Sequence, residues 1–588
     1  MFSDALPDSF VTCPRLRVRV GQHSDRGRKS VNQDFYGWRL PDEPLLGSKG
    51  IAIALADGIG SSDVSQVAAE FAVMAFLDDY YSTSETWSVK KSADRVLAAA
   101  NSWLHSRTYH SSYRYEKDRG YVCTLSGLVL KGTTAHLFHV GDTRVHRLQG
   151  DALEQLTQDH RVRVAEDESY LSRAVGFNSQ IEIDYRALEI ERGDVFVLAT
   201  DGVYEHVEAA FIARSIREAR GDLDVAARAI VAEAYRHGSA DNLTVQIVAV
   251  EDLPEPGGDG LRQQVARLAP PPSFEPRAEI DGYRIAREIH ASARSRICLA
   301  VDPDGGGLVV LKAPGTELQA DLDHLERFML EEWIARRLSS PHVLRPYPRT
   351  RERRFLYVAM EYVEGQTLAQ WMTDHPNADI ETVRGVVQQI AHGLQAFHRM
   401  EMLHQDLRPQ NIMIDKTGTV KIIDFGSVSV AGVDERASPG GRSSILGTLQ
   451  YTAPEYFVGD PGTERSDFYS LGVIAYQMLS GRLPYGAEAA RVRTRAAQRG
   501  LQYASLLDEQ GEIAAWIDAA LRKAVHPDPL QRYESLSEFV YDLRHPNAAL
   551  MRPTPLVERN PALFWKAVSA ALGLALFLLL LAQLGLKI

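Results

Sequence analysis

Five aspartates in the first half of the chain stand at or just beyond the ends of apolar, strand-like runs: Asp34, Asp57, Asp142, Asp201 and Asp241. Magnesium and manganese ions prefer oxygen ligands, and a pair of such ions needs several carboxylates that converge from separate strands. Two ions held in this way can orient and deprotonate a water molecule while they neutralise a phosphate monoester. A single Asp-Gly step is usually only a turn. Five aspartates in this pattern instead favour a metal centre that hydrolyses phosphate esters.

A second set of reactive residue types lies in the other half of the chain. Four motifs follow one another there, at 309–312, 404–411, 424–426 and 453–455. Their order and spacing are those that phosphoryl transfer from ATP requires. Any one of these lysines or aspartates alone would be interpreted as a surface residue. Four motifs in register favour a nucleotide-dependent site.

The composition limits the classes of protein to which the chain can belong. With 588 residues the chain is too long for one hydrophobic core. Its formal charge of −12 argues against a general nucleic-acid binder, which needs a basic surface, so we expect no nucleic-acid partner. The three cysteines, Cys13, Cys123 and Cys298, are far apart and odd in number. They indicate buried thiols in a reducing compartment rather than disulfides or a zinc site.

The C-terminal segment is strongly apolar. Between residues 567 and 586 the only polar side chains are Ser569 and Gln583. Twenty helical residues rise about 30 Å, enough to cross the hydrocarbon core of a bilayer, so the sequence predicts one C-terminal transmembrane helix. Basic residues before this segment favour a single-pass anchor with the catalytic domains in the cytoplasm. The alternative is a buried helix of a soluble domain.

Shifts in composition divide the chain into segments. Proline and glycine are frequent between Glu251 and Ala278, which indicates an interdomain linker. In the first segment, strand-like runs interleave with two long helical patterns, which predicts a layered α/β β-sandwich. The predicted boundaries are a first domain at 1–252, a Pro/Gly-rich linker at 253–278, a second domain at 279–545, a juxtamembrane segment at 546–562 and the transmembrane helix at 563–588.

Six segments of the first domain resemble a known family: 24–34, 56–60, 140–144, 171–176, 199–203 and 241–245. They look like the motifs of the metal-dependent, type 2C serine/threonine protein phosphatases. The resemblance implies that Asp57 bridges two metal ions, with the carbonyl oxygen of Gly58 on one of them. Asp201 and Asp241 would complete the second metal position.

The resemblance also implies roles for residues at the edge of this centre. Asp34 would bind a metal directly or through water, and Asp142 would suit a third, weaker ion. We therefore expect two or three Mn²⁺ or Mg²⁺ ions. Where the family usually has an arginine for the substrate phosphate this chain has Lys29, with Arg28 next to it. Either side chain could bind phosphate, although only arginine offers a planar fork.

The motifs of residues 279–545 resemble those of the eukaryotic-type serine/threonine protein kinases, which implies a bilobal α+β fold. By this resemblance Lys312 holds the α/β-phosphates of ATP, and Glu331 pairs with that lysine from a helix. Asp406 orients the substrate hydroxyl and accepts its proton. Asn411 and Asp424 hold the magnesium of Mg-ATP.

Other kinase motifs concern the nucleotide and the catalytic loop. Glu361 and Val363 belong to a segment that is similar to the hinge that meets adenine. Where the family has three glycines, residues 290–297 contain none, so the backbone loses freedom to close over ATP. Ser292 and Ser295 could supply hydroxyl groups there.

Two further differences affect the catalytic loop. Gln405 replaces the arginine that normally precedes the catalytic aspartate, which removes the cation that pairs with a phosphorylated activation loop. Arg408, a candidate catalytic residue, stands where lysine is usual.

The sequence thus predicts a membrane-anchored enzyme that phosphorylates proteins on serine and threonine and also hydrolyses phosphoserine and phosphothreonine with a metal-activated water. One alternative is an active phosphatase regulated by an ATP-binding pseudokinase domain. Another is a membrane scaffold whose two domains are docking surfaces. The expected partners are protein substrates and, through the C-terminal helix, the membrane. The chain's own kinase domain and a second copy of the chain are further candidates.

Overall fold

The computed structural model describes residues 15–150, 152–165, 168–254, 265, 268–272, 274–319, 321–348, 351–376, 378–434, 450–507, 513–551, 565–566 and 568–573. The chain divides into two compact units. The first unit comprises residues 1–364, 393–405 and 421–446, and the second comprises residues 365–392, 406–420 and 447–588. The boundary therefore falls inside the segment that resembles a kinase, not between the two predicted domains.

Two five-stranded antiparallel sheets form the N-terminal part of the first unit. The first sheet has the strand order Arg17–Asp25, Leu243–Asp252, Val195–Ala199, Arg144–Gln149 and Ala152–Gln155. The second sheet has the order Asp184–Glu189, Thr134–Val140, Leu125–Lys131, Ile51–Ala56 and Phe35–Arg39. A separate hairpin pairs Arg161–Ala165 with Glu168–Leu171.

Helices cover the outer face of each sheet. Ser65–Ser82 and Val89–Tyr109 pack on the second sheet, and Ala209–Glu218 and Leu223–Arg236 pack on the first. Shorter helices are Leu45–Lys49, Lys117–Arg119 and Asp201–Tyr204. The layers are therefore helix, sheet, sheet and helix, which confirms the predicted α/β β-sandwich.

The strand Ile51–Ala56 explains how one apolar run serves two cores. Its isoleucines and its leucine lie between the two sheets, whereas its alanines lie under the helices of the second sheet. Successive side chains of a strand point to opposite faces, so a strand covered on both faces is apolar throughout. Small alanines on the helix-facing side let the helices pack closely. The strand ends immediately before Asp57.

The rest of the first unit contains the N-terminal part of the kinase-like half. An antiparallel sheet has the order Glu279–Ile280, Tyr283–Ala291, Ser295–Val301, Leu308–Pro314 and Val358–Glu361. The helix Leu322–Ala335 follows this sheet's fourth strand, after the short helix Thr316–Leu318. Further along the chain, strand Met402–Leu403 pairs with Ser429–Val430, which runs into the helix Ala431–Asp434. The strand Val420–Ile422 begins at the end of the second unit's middle segment.

The second unit is mainly helical. Its strands Gly365–Thr367 and Ile412–Asp415 pair antiparallel. Its helices are Leu368–Asp374, Ile380–Arg399 (whose last residues belong to the first unit), Pro409–Asn411, Pro454–Phe457, Glu464–Ser480, Ala489–Arg491, Arg495–Arg499, Ala515–Ala524, Pro529–Gln531, Leu536–Asp542 and Ala548–Met551. A buried ion pair joins two of these regions, because Arg532 donates from Nη1 and Nη2 to the two carboxylate oxygens of Glu455 at 2.7 Å each. Both predicted folds, the sandwich and the kinase-like half, are supported.

The prediction of a C-terminal transmembrane helix at 563–588 is wrong as a feature of the described structure. Within the ranges given above, no helix is both long enough and apolar enough to cross a membrane. Of the predicted segment only residues 565–566 and 568–573 are described, as helix. Residues 574–588 lie outside the described residues, and the cellular location stays a prediction.

Candidate functional site

Asp34 is held by two hydroxyl groups, one from Thr244 on the strand Leu243–Asp252 and one from Thr200, which directly follows the neighbouring strand Val195–Ala199. Its Oδ2 accepts hydrogen bonds from Thr200 Oγ1 at 3.1 Å and from Thr244 Oγ1 at 2.6 Å. Its Oδ1 is buried and has no hydrogen-bond donor among the described residues. Burial raises the pKa of Asp34 to about 6. A buried carboxylate oxygen without a donor costs free energy unless a cation or a proton satisfies it.

Asp57 lies at the end of the buried strand Ile51–Ala56, where its backbone is fixed. Its amide nitrogen donates to Thr124 Oγ1 at 3.0 Å, and its carbonyl accepts from the Thr124 amide at 2.8 Å. Burial, and then the negative charges of Asp34 and Asp201, raise the pKa of Asp57 well above its usual value. The carboxylates thus repel one another at a site where Asp34 and Asp142 are buried and Asp57 is half-buried.

Gly58 follows Asp57 in a crowded position. A side chain on this residue would bring its Cβ within 2.8 Å of the Gln33 carbonyl oxygen and of Ser65 Oγ. The Gly58 amide donates to that same carbonyl at 3.2 Å. The Asp-Gly step is therefore required by close packing, and the approach of the 33–34 segment to Asp57 depends on it.

Arg161 bridges two of the aspartates that were predicted to bind metal. Its Nε lies 2.5 Å from Asp142 Oδ2, and its Nη2 lies 2.8 Å from Asp201 Oδ2. Burial and the charge of Asp142 raise the pKa of Asp201 to about 7, although Arg161 opposes this shift. Burial also raises the pKa of Asp142. Asp201 begins a short helix, and Asp142 follows the strand Thr134–Val140.

The two candidate phosphate-binding residues have different surroundings. Lys29 forms an ion pair with Asp241 Oδ1. Arg28 instead donates from Nη1 to the Gly238 carbonyl at 3.2 Å and lies over the ring of Tyr235, 5.3 Å from its centroid. The structure therefore brings Lys29, and not Arg28, into contact with the aspartates.

These five aspartates, called the acidic cluster below, fit divalent cations by their chemistry. Their oxygens are the hard ligands that Mg²⁺ and Mn²⁺ prefer, and their mutual repulsion favours a bound cation. Among the residues that the structure describes, no group of three or more His, Cys, Asp or Glu side chains lies close enough together to hold a metal ion. Arg161 and Lys29 lie against three of the carboxylates instead. Metal binding would therefore require these cations to move or to share the carboxylates.

A second cluster in the first unit consists of Lys312, Glu331 and Asp424. Lys312 Nζ lies 2.8 and 2.7 Å from the two carboxylate oxygens of Glu331 and 3.2 Å from Asp424 Oδ1. Burial raises the pKa of Glu331 to about 7, against the attraction of Lys312. The two carboxylates together keep Lys312 charged and raise its pKa, and Lys312 helps to lower the pKa of Asp424. Strand Leu308–Pro314 and helix Leu322–Ala335 supply the first two residues.

Some of the residues that were predicted to contact the nucleotide already use their side chains in hydrogen bonds within the protein. Ser292 Oγ accepts from the Ser295 amide at 3.2 Å and lies 3.1 Å from the Ser295 carbonyl, so these two serines close the turn between two strands. Glu361 Oε1 accepts from Lys421 Nζ at 2.6 Å and from the Arg345 amide at 2.9 Å. Val363 is buried. A role for Glu361 at adenine would therefore come from its backbone rather than its carboxylate.

The second unit holds the remaining kinase candidates close together. Asn411 Nδ2 donates to the backbone carbonyl of Asp406 at 2.9 Å and to Asp406 Oδ2 at 3.1 Å. Arg408 Nε lies 3.8 Å from the same carboxylate oxygen and 3.4 Å from Asn411 Oδ1. The asparagine thus fixes the orientation of the Asp406 carboxylate.

Sequence reasoning missed three residues that shape the acidic cluster. A sequence signal points to Thr200 and Thr244, because each lies within a few residues of a motif aspartate, Thr244 on a strand of the first sheet and Thr200 just after one. No sequence signal points to Arg161, because this residue belongs to a hairpin outside every motif. Only the folded chain brings it to Asp142 and Asp201.

Comparisons with known proteins match the two halves of the chain to two different families. Residues 22–231 match the family model for protein phosphatase 2C, and residues 283–542 match the model for the protein kinase domain. The chain carries a protein phosphatase 2C domain followed by a protein kinase domain. The matched residues include Asp34, Asp57, Asp142 and Asp201 of the acidic cluster in the first case, whereas Asp241 lies beyond the matched range. In the second case they include Lys312, Glu331, Asp406 and Asp424.

Individual relatives match one domain at a time. The kinase domain is similar to serine/threonine-protein kinase PrkC of Bacillus subtilis, with 29% identity over 266 residues, 45% of this chain and 40% of the relative. The chain therefore matches less than half the length of that relative. Among solved structures, the catalytic domain of the phosphatase PstP in complex with two manganese ions has 24% identity and a TM-score of 0.34, and covers 40% of this chain and all of that one. The Mycobacterium tuberculosis PknI kinase domain has 26% identity and a TM-score of 0.36, over 46% of this chain and 98% of that one.

Proposed function

We propose that the first domain removes phosphate from phosphoserine and phosphothreonine in proteins, with Mn²⁺ or Mg²⁺ bound at the acidic cluster. The observation that carries this proposal is the accumulation of buried, mutually repelling carboxylates around Asp57. Asp57, Asp201, Asp241 and the Gly58 carbonyl would hold two ions, and Asp34 and Asp142 would lie at their edge. When bound, these ions would supply an activated water and neutralise the charge of the phosphate.

The chain's own residues prepare the site for this chemistry. Thr200 and Thr244 donate to one oxygen of Asp34, and the other oxygen is buried and has no donor among the described residues, so it could bind a cation. Lys29, held at Asp241, supplies a positive charge that a substrate phosphate can share. Arg161 supplies a second positive charge between Asp142 and Asp201. The site thus attracts both cations and a phosphate dianion.

For the second domain we propose transfer of the γ-phosphate of ATP to serine or threonine side chains of proteins. The observation that supports this is the paired arrangement of Lys312 with Glu331 and Asp424. Glu331 fixes the ammonium group, which can then bind the α/β-phosphates. Asp424 and Asn411 would hold the magnesium that accompanies ATP. Asp406, oriented by Asn411, would accept the proton of the substrate hydroxyl.

The pseudokinase alternative rests on a specific observation. Ser292 and Ser295 hydrogen-bond across their own turn, in the segment where the family has glycines. If that turn does not open, the domain would bind Mg-ATP weakly and transfer nothing. Both alternatives keep the phosphatase active, so the kinase assay separates them.

One pair of assays on the full chain tests both activities. Release of phosphate from a phosphothreonine peptide should require Mn²⁺ or Mg²⁺ and should be lost in Asp57→Asn but kept in the surface control Asp78→Asn. Transfer of radiolabel from ATP to protein should be lost in Lys312→Met but kept in Lys117→Met. Full turnover in excess chelator would contradict the metal-dependent phosphatase. Binding of Mg-ATP without any transfer would favour the pseudokinase.

A further inference from the structure

A loop of the phosphatase domain contacts the kinase domain within the first unit. This loop, residues 85–88, joins the helices Ser65–Ser82 and Val89–Tyr109 and is called the docking loop below. It lies far along the chain from the acidic cluster's motifs and has no role in the chemistry proposed above. Three separate parts of the kinase domain meet it.

The first contact is with Gly432, which follows the Asp424–Gly426 motif by a few residues. The Gly432 amide donates to the Thr86 carbonyl at 3.0 Å. The Gly432 carbonyl accepts from Lys131 Nζ at 2.6 Å. A Cβ on Gly432 would lie 2.7 to 2.9 Å from the carbonyl oxygens of Glu85, Thr86 and Trp87. Only glycine fits here, and both of its backbone groups bond to the phosphatase domain.

The second contact precedes the catalytic loop. Glu401 Oε2 accepts from the Ser88 amide at 2.7 Å, and its Oε1 lies 3.9 Å from Lys91 Nζ. The indole nitrogen of Trp87 donates to the Arg399 carbonyl at 3.0 Å. The backbone of Glu401 also accepts from the Ala431 amide at 3.1 Å. The docking loop therefore bonds two kinase segments that also bond each other.

The third contact lies just beyond the helix that carries Glu331. Arg337 Nη2 donates to Glu85 Oε2 at 2.9 Å, while its guanidinium carbon lies 3.7 Å from the centroid of the Trp333 ring. Both charged side chains are partly exposed, so this pair alone contributes little. Its importance is its place, because it connects the docking loop to the helix Leu322–Ala335.

The phosphatase domain supports this loop with two buried lysines. Lys49 Nζ donates to Thr83 Oγ1 and to the Ser84 carbonyl at 2.7 Å each, and to Ser92 Oγ at 2.9 Å. Lys131 is equally buried and donates to Gly432. A buried ammonium group must be satisfied by acceptors, and for Lys131 one of these comes from the kinase domain. This surface therefore presents a buried ammonium group that hydrogen-bonds to a backbone carbonyl of the kinase domain.

We propose that the docking loop is an intramolecular binding surface for the kinase domain, and that it positions the kinase's catalytic groups. Its contacts at Arg337, Glu401 and Gly432 lie a few residues from Glu331, Asp406 and Asp424 respectively. The proposal rests on the kinase function proposed above. It adds that phosphoryl transfer depends on the attached phosphatase domain.

The arrangement of the first unit predicts whether loss of the docking contacts raises or lowers the activity of the kinase domain. The docking contacts occur together with the intact Lys312, Glu331 and Asp424 cluster. A contact that exists in one state of a protein stabilises that state relative to states that lack it. Loss of the docking contacts should therefore weaken the cluster and lower both the affinity for ATP and the rate of transfer.

The main experiment uses Gly432→Ala in the full chain. Its matched control is Gly385→Ala, because a Cβ at Gly385 meets nothing within 4 Å. Hydrogen exchange should accelerate at residues 83–88 of the phosphatase domain in Gly432→Ala alone. ATP affinity and radiolabel transfer should fall at least about fivefold, within the range of allosteric coupling, while metal-dependent phosphatase turnover stays unchanged. Circular dichroism checks that both variants are folded.

A second variant tests the surface from the phosphatase side. Glu85→Arg should repel Arg337 and lower transfer, and Glu85→Arg with Arg337→Glu should restore part of it. This rescue distinguishes a docking role from damage to either domain, and it remains informative if Gly432→Ala does not fold.

The outcomes separate the two proposals. If the wild-type chain transfers no phosphate, the proposed kinase function fails, and ATP affinity then reports the coupling. Unchanged exchange at residues 83–88 in Gly432→Ala would overturn the docking surface. Faster exchange with unchanged ATP affinity and transfer would overturn its influence on the kinase.

Discussion

The acidic cluster of the phosphatase domain and the cluster around Lys312 in the kinase domain differ in how their charged side chains are paired. Around Asp57 several buried carboxylates repel one another, and the cations that touch them lie at Lys29 and Arg161. Around Lys312 two carboxylates share one buried ammonium group, which contacts both. Buried charges are tolerated only when they are paired or bind metal. In the kinase cluster each carboxylate therefore contacts a cation of the protein, whereas the phosphatase cluster has an excess of carboxylates that a bound divalent cation would offset.

The largest effect should come from removing a metal ligand. Asp57→Asn should lower phosphatase turnover by at least about a thousandfold, or ~4 kcal/mol of activation free energy, because the carboxylate that we propose as a ligand of the metal ions is lost. Steady-state phosphate release with saturating Mn²⁺ measures this. Asp78→Asn, at a surface ion pair, should keep the wild-type rate. A comparable loss in both variants would mean that Asp57 has no special part.

A smaller but clear effect should follow from breaking the balanced cluster. Lys312→Met leaves the buried carboxylate of Glu331 without its cation, which should lower the stability of the surrounding sheet by about 3 kcal/mol. Hydrogen exchange of the strand Leu308–Pro314 at alkaline pH, above the raised pKa of Glu331, measures this. Lys312→Met combined with Glu331→Gln should recover part of the loss, because the unpaired charge is gone. Equal protection in wild type and Lys312→Met would contradict the charge balance.

Removing one charged side chain from the acidic cluster should instead raise the stability of its domain when no metal is bound. Without metal at pH 8, Asp57→Asn should stabilise the phosphatase domain by about 1 to 2 kcal/mol, because it removes a carboxylate whose pKa is raised by desolvation and by the neighbouring negative charges. Exchange of the strand Ile51–Ala56 in excess chelator reports this stability. Added Mn²⁺ should reverse the order and favour the wild type. A destabilised metal-free Asp57→Asn would show that the cluster is not repulsive.

The smallest effect concerns the guanidinium group at the edge of the acidic cluster. Arg161→Gln should tighten the weakest Mn²⁺ site about threefold, since Arg161 competes with a cation for Asp142 and Asp201. Calorimetric titration with Mn²⁺ measures this without reference to activity. Arg173→Gln, which removes an exposed pair with Glu182 and Asp184, serves as the control. Weaker binding in Arg161→Gln would instead indicate that the arginine supports the metal site.

Individual segments show which features of the fold could be predicted from the sequence. The apolar run before Asp57 predicted a buried strand with a carboxylate at its end, and the fold has that strand between two layers. The apolar C-terminal segment predicted a membrane span, but its described residues form only a short helix. Hydropathy gives the affinity of a segment for an apolar surrounding and does not show what surrounds that segment.

The sequence by itself determined the two domains and the residue types of both clusters, because strand periodicity and motif spacing are local properties of the chain. Tertiary structure alone decided that Lys29 rather than Arg28 meets Asp241, that Arg161 lies between Asp142 and Asp201, and that Gly432 bonds to Thr86. These contacts join residues that are distant in sequence, with no periodic pattern to relate them. They depend on which surfaces pack together, and packing is a property of the whole fold.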